Sequence, residues 1–154
     1  MARLVSAMKG WQDGIGLRRL LEDWPDMPLP PTAIAHEEGF AVEATWQAML
    51  AGDRRIRRGD LQLVQAAGTQ PRLRALFPFP SHGTLGFLRA TRFPFGPQTE
   101  PFITHADKGY HVYAPAYARL LGETATAQQA AQLTVEHLSA DCGPAVEGSW
   151  PEAH

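Results

Sequence analysis

Cysteine is almost missing from this chain. Cys142 is the only one among 154 residues, so no intrachain disulfide can form. Lysine is scarce too: Lys9 and Lys108 stand against twelve arginines, and the formal net charge is −2. That balance gives no global pull toward nucleic acid or anionic membrane, and neither is expected as a partner. No apolar run is long enough for a membrane span or a signal peptide, so a cytoplasmic location is expected. Phosphate-binding signatures are missing: Gly83, Gly86 and Gly96 do not make a glycine-rich strand-to-helix turn. There is no GxSxG elbow. Among the histidines, His105 and His111 face each other across an expected hairpin, but a third metal ligand is lacking. The expectation is a protein that works without metal or cofactor.

What remains is enough for one domain. A chain of this length buries roughly 68–70% of its unfolded surface and needs no staple. Helical spacing joins Leu4, Val5, Met8 and Trp11, and then Leu17, Leu20, Leu21 and Trp24. Residues 1–31 therefore read as a helical segment closed by a proline-rich connector from Pro25. Thr32 is placed to cap a helix running to about Ala51, with Val42, Trp46, Met49 and Leu50 buried and Gly39 weakening its first half. Asp60 caps a helix over 61–67, and Thr69 caps a turn containing Pro71.

After Gly83 the period changes from helical to alternating. Strands are expected over 84–91, 102–105, 110–114 and 119–123, with Asp107-Lys108-Gly109 as a hairpin turn. Thr126 and Gln129 form a capping box for a last helix through Leu138. Residues 141–154 read as a flexible tail. Segregated runs of this kind predict an α+β domain over 1–140, with N-terminal helices, a three- to four-stranded antiparallel sheet and a C-terminal helix packed on it. The hairpin edge and the helical N-terminus offer self-complementary surface, and a homodimer is expected.

The richest chemistry lies in the elbow from Pro71 to Phe87. His82, in a Pro-Ser-His-Gly turn, is the best proton-transfer candidate, with an ordinary pKa of about 6.5. Holding the turn is its competing role. Ser81 is adjacent, but neighbouring side chains in extended backbone point apart, so no nucleophile–base pair is expected. Glu43 and His36, seven residues apart on one expected helix, share a face and join the acid/base set. Arg72 and Arg74 border the elbow as forks for a carboxylate. Trp46 and Phe79 are assigned as apolar contacts to substrate, with ordinary core packing as the alternative. Arg54, Arg55, Arg57 and Arg58 read as a solvated run.

The segments 42–47, 71–87 and 121–126 resemble a group of small actinobacterial proteins described as a "natural product biosynthesis" domain, and the resemblance covers most of residues 35–138. The chain is also similar to the lysinoalanine synthases of cinnamycin- and duramycin-type lanthipeptide pathways. The resemblance implies a cofactor-free tailoring enzyme that closes a ring in a peptide or small metabolite by adding an amine to a dehydroamino acid. Freeing a lysine amine at pH 7 costs about 4–5 kcal/mol, so such a protein needs a base. The other reading is a non-catalytic adaptor that binds a peptide or partner.

Overall fold

Seven helices and seven strands follow one another in the computed structural model, which describes residues 2–30, 32–52 and 58–151. Four helices come first: α1 (Ala2–Gln12), α2 (Leu17–Asp23), α3 (Ala33–Glu38) and α4 (Ala41–Leu50). The single helix expected over 32–51 is thus two. Gly39 takes φ +83, a left-handed conformation that ends α3, and α4 restarts after Phe40. Of the arginine run, Arg54, Arg55 and Arg57 lie outside the described residues.

Next come α5 (Arg58–Gly68) and the single turn α6 (Pro71–Arg74), with Pro71 at its first position. Thr69 does not cap α6. Its hydroxyl donates to the Ala66 carbonyl and closes α5 instead.

The elbow is a strand. β1 (Phe77–Ser81) pairs antiparallel with β2 (Thr84–Leu88) around a two-residue turn. Then follow β3 (Ala90–Arg92), β4 (Phe102–His105), β5 (Tyr110–Tyr113), β6 (Leu120–Thr124), α7 (Ala127–Glu136) and β7 (Val146–Ser149). The main sheet runs β1-β2-β4-β5-β6, entirely antiparallel. It has five strands, not three or four, because the Phe-Pro-Phe-Pro stretch adds an edge. In a hairpin closed at Ser81–Thr84, the backbone nitrogens of Pro78 and Pro80 face away from β2, and a proline has no N–H to offer another strand.

Part of the expected tail is a strand. β7 pairs parallel with β3 in a second, two-stranded sheet. Ala145 and Val146 donate to the Ala75 and Arg89 carbonyls, and Trp150 N–H to the Pro94 carbonyl.

The core lies on one face of the main sheet. Leu85, Phe87, Ile103 and Val112 point from the strands into Trp46, Leu63, Val64, Leu73 and the alanine face of α7. The Thr126 capping box forms as expected and fixes where α7 starts. Ala127, Ala130 and Ala131 let α7 approach β4, β5 and β6 closely. The helices pack on this face, and the opposite face stays open.

Candidate functional site

Alternation along the strands sends every second side chain to the open face, and the register sorts them into two rows. One row is polar: Ser81 opposite Thr84, Thr84 opposite Thr104, Thr104 opposite His111, His111 opposite Glu123. The other is largely aromatic: Phe79 opposite Gly86, Phe102 opposite Tyr113, Tyr113 opposite Leu120. Because Gly86 has no side chain, Phe102 approaches it and a trough opens. Tyr117, from the 3-10 turn Pro115–Tyr117 between β5 and β6, stands across this row. Its ring meets Phe102 edge-on at 4.6 Å and Tyr113 at 5.0 Å.

The result is a cleft of about 280 Å³ walled by Phe79, Ser81, Thr84, Phe102, Ala116 and Tyr117. Phe79 is 47% exposed and Tyr117 60%, an unusual display for large rings. His82 follows the wall residue Ser81. It and Gly83 form the β1–β2 turn with φ +46 and +81, the doubly left-handed pattern of a type I′ hairpin. Such a φ redirects the His82 side chain. Ser81 Oγ and His82 Nδ1 meet at 3.0 Å, overturning the expectation that they point apart.

Across all described residues, three non-glycine residues have positive φ: His82, Ala116 and Tyr117. Two of them line this cleft and the third adjoins its wall residue Ser81. Left-handed backbone at a non-glycine residue costs of order 1–3 kcal/mol and collects at functional sites. A larger groove, about 670 Å³, lies between α5, the β4–β5 turn and the start of α7. It has no such backbone, and its His105 and Tyr110 rings already pack on each other at 5.1 Å. The smaller cleft is the stronger candidate.

The other expected site residues do not converge here. Trp46 is fully buried on the helix side. Its indole N–H donates to the Leu76 carbonyl at 3.0 Å and its ring stacks on Phe87, so it is core and contacts no ligand. Glu43 accepts from Arg74 and Gln47 at 2.8 Å each. Those two bonds hold its carboxyl below the usual range. Arg74 also lies over the Trp46 ring at 5.5 Å. It is a partner of Glu43, not a free fork.

Arg72 points elsewhere, toward the Val135 and Ser139 carbonyls at the end of α7. His36 is on α3, separated from Glu43 by the Gly39 break, with its ring set edge-on to Phe77 at 5.7 Å between centroids. Phe77 begins β1 and His82 lies just past its end, about 16 Å away at the strand rise. Of the seven residues, only Phe79 lines the cleft, and His82 follows its wall residue Ser81. Phe102 and Tyr117, which wall it, were missed. The alternation showed which face Phe102 takes, but the register across five strands was not readable.

No metal-binding group of three or more His, Cys, Asp or Glu occurs among the described residues. His105 and His111 are not opposite one another: Tyr110 faces His105. No helix among the described residues is long and apolar enough to cross a membrane.

No curated protein and no solved structure matches the chain. A protein-family profile does, over residues 40–149, which takes in both sheets, the cleft and α4 to α7. On that match the chain belongs to the family of unknown function DUF6193.

Proposed function

We propose that this protein is a cofactor-free tailoring protein of natural-product biosynthesis. It holds a peptide in the open-face cleft and promotes addition of an amine to a dehydroamino acid. The observation that carries the reading is that, of the three left-handed non-glycine residues among the described ones, two line one aromatic-walled cleft and the third, His82, follows its wall residue Ser81. The similarity to lysinoalanine synthases supplies the reaction class. In the step, His82 takes a proton from the ligand's ammonium group. The freed amine bonds to the β-carbon of the dehydroamino acid, its π bond breaks, and the α-carbon takes up a proton. Nothing leaves and nothing is oxidised. The aromatic wall holds the reactive partners together, which contributes by orientation.

The non-catalytic adaptor is favoured by one observation: the His82 ring is exposed and its described partner is a hydroxyl, with no carboxylate to orient it. A synthetic peptide with one lysine and one dehydroalanine separates the two. Unreacted dehydroalanine is trapped with a thiol and counted by mass spectrometry. The native protein is expected to consume it, and His82→Asn, which tolerates the left-handed turn, to slow consumption about 10²–10⁴-fold. Consumption at the same rate by His82→Asn removes His82 from the chemistry. Binding without consumption leaves the adaptor.

A further inference from the structure

We infer that the gap above Gly86, between the rings of Phe79 and Phe102, seats an organic cation carried by the ligand: a lysine or arginine side chain of a basic peptide. The inference goes beyond the proposed reaction. It concerns a charged group that the rings hold whether or not any bond forms, and for which Gly86 keeps room.

Glycine weakens a strand interior, and where it occurs it marks a bulge, a bend or a close approach by a ligand. No bulge explains Gly86, because the β1–β2 register runs through it without a shift. Its backbone does not require glycine either, since its φ lies outside the left-handed region. A Cβ there would meet the Phe79 carbonyl oxygen at 3.7 Å and the Phe102 Cβ at 3.9 Å, both ordinary contacts. The fold therefore admits a side chain, and what glycine preserves is the space above it. Phe79 lies opposite Gly86 on β1, and Phe102 approaches it from β4. The backbones carrying the two rings are two strand spacings apart, about 9.5 Å. Two ring faces need about 7–8 Å to hold one flat group between them. Phe79 is 47% exposed and pairs with no other ring among the described residues. Tyr117, edge-on to Phe102 at 4.6 Å, closes a third side.

The charge pattern selects a cation. Among the described residues, no lysine, arginine or histidine lines the cleft. The one charged residue that does, Glu100, keeps its carboxylate on Arg89 at 2.9 Å, so the attraction falls to the ring faces. An aromatic face is negative and draws a cation that comes within about 6 Å of its centroid. The protein's own cations use such faces: Arg74 lies over Trp46 at 5.5 Å and Arg89 over Trp150 at 5.8 Å. None of the described cations covers Phe79, Phe102 or Tyr117 in this way.

Pairs of probes that differ only in charge test this by NMR titration of the labelled protein. N-acetyl-lysine amide is set against its norleucine counterpart, and N-acetyl-arginine amide against its citrulline counterpart. The expected result is that a cation binds about 2- to 30-fold more tightly than its neutral partner and shifts the Gly86 amide signal. Gly86→Val fills the gap with a residue that strands favour, so it should abolish cation binding while circular dichroism and melting are kept or raised. Phe79→Leu keeps apolar bulk at an exposed position and should lose the preference for charge. Equal binding of cation and neutral partner overturns the inference. So does unchanged cation binding in Gly86→Val or in Phe79→Leu, and so does saturable binding of neither cation. The dehydroalanine assay judges the proposed reaction separately: a protein that consumes none yet prefers the cations loses the reaction and keeps the seat.

Discussion

At His82 the φ of +46 and the 3.0 Å contact to Ser81 have one cause, a two-residue turn that forces a left-handed conformation. The composition of that turn was legible, and so was His82 as its chemistry-bearing residue. The contact was not, because extended backbone was assumed through Ser81-His82. His36 gives a different lesson. Burial, followed by the nearby Arg92 charge, lowers its pKa below the ordinary 6.5, and Glu147 opposes the shift. The folded protein therefore binds this proton less readily than the unfolded chain. The stability it contributes is complete above about pH 6.5 and is lost as pH falls toward the lowered value. Thermal melts at steps from pH 7.5 to 5 should show a falling midpoint, with a shallower fall in His36→Gln. Equal slopes would show that His36 is not the group responsible. Glu43, held low by Arg74 and Gln47, adds a further loss only below its ordinary 4.5.

α2 and α4 start without a cap of their own. Gly16 and Phe40 precede α2 and α4 and give no side-chain hydrogen bond. Carboxylates distant in sequence take over. Glu37 accepts from Leu17 N–H at 2.8 Å, while Arg18 and Glu38 pair beside it, so α2 is docked on α3. Glu147 on β7 accepts from Ala41 and Val42 N–H at 3.0 Å each, which pins the C-terminal strand to α4. A carboxylate there also meets the positive end of the helix. Glu147→Ala is expected to cost about 1–2 kcal/mol in urea unfolding, within the range for a lost cap. An unchanged midpoint would mean the cap is replaced by water at no cost. Elements that carry their own signal, such as the Thr126 capping box and the alternation over 84–88, were readable from sequence. α4 was not delimited and β7 was not seen, because the Glu147 carboxylate that starts α4 lies more than a hundred residues away and the strand β3 that pairs with β7 lies more than fifty.

Across the molecule, residues 145–150 act as a strap. Glu147 caps α4, Gly148 N–H donates to Thr91 Oγ1, Ser149 Oγ to the Phe93 carbonyl, and Trp150 lies under the Arg89 guanidinium at 5.8 Å. Arg89 also pairs with Glu100 at 2.9 Å where both side chains are almost dry, 6% and 1% exposed. Ser139 and Thr99 hydroxyls complete the Glu100 carboxylate. A pair so placed is costly to break from one side only. The N-terminal helices are joined more loosely. The main hydrophobic cluster begins at Trp46 and takes no buried residue from α1, α2 or α3. Exposed Val5, Met8 and Trp11 show how little of α1 is covered, and the family match begins only at residue 40. Two truncations should therefore rank in an order that chain length does not give. Removing residues 1–31 deletes three times as many residues as removing 145–154, yet the shorter C-terminal deletion should lower the melting midpoint further. It opens the α4 cap and bares the Arg89–Glu100 pair, while the longer one leaves the core intact. Differential scanning calorimetry of the two proteins decides it, and a larger drop from the N-terminal deletion would assign the stability to the helices instead of the strap.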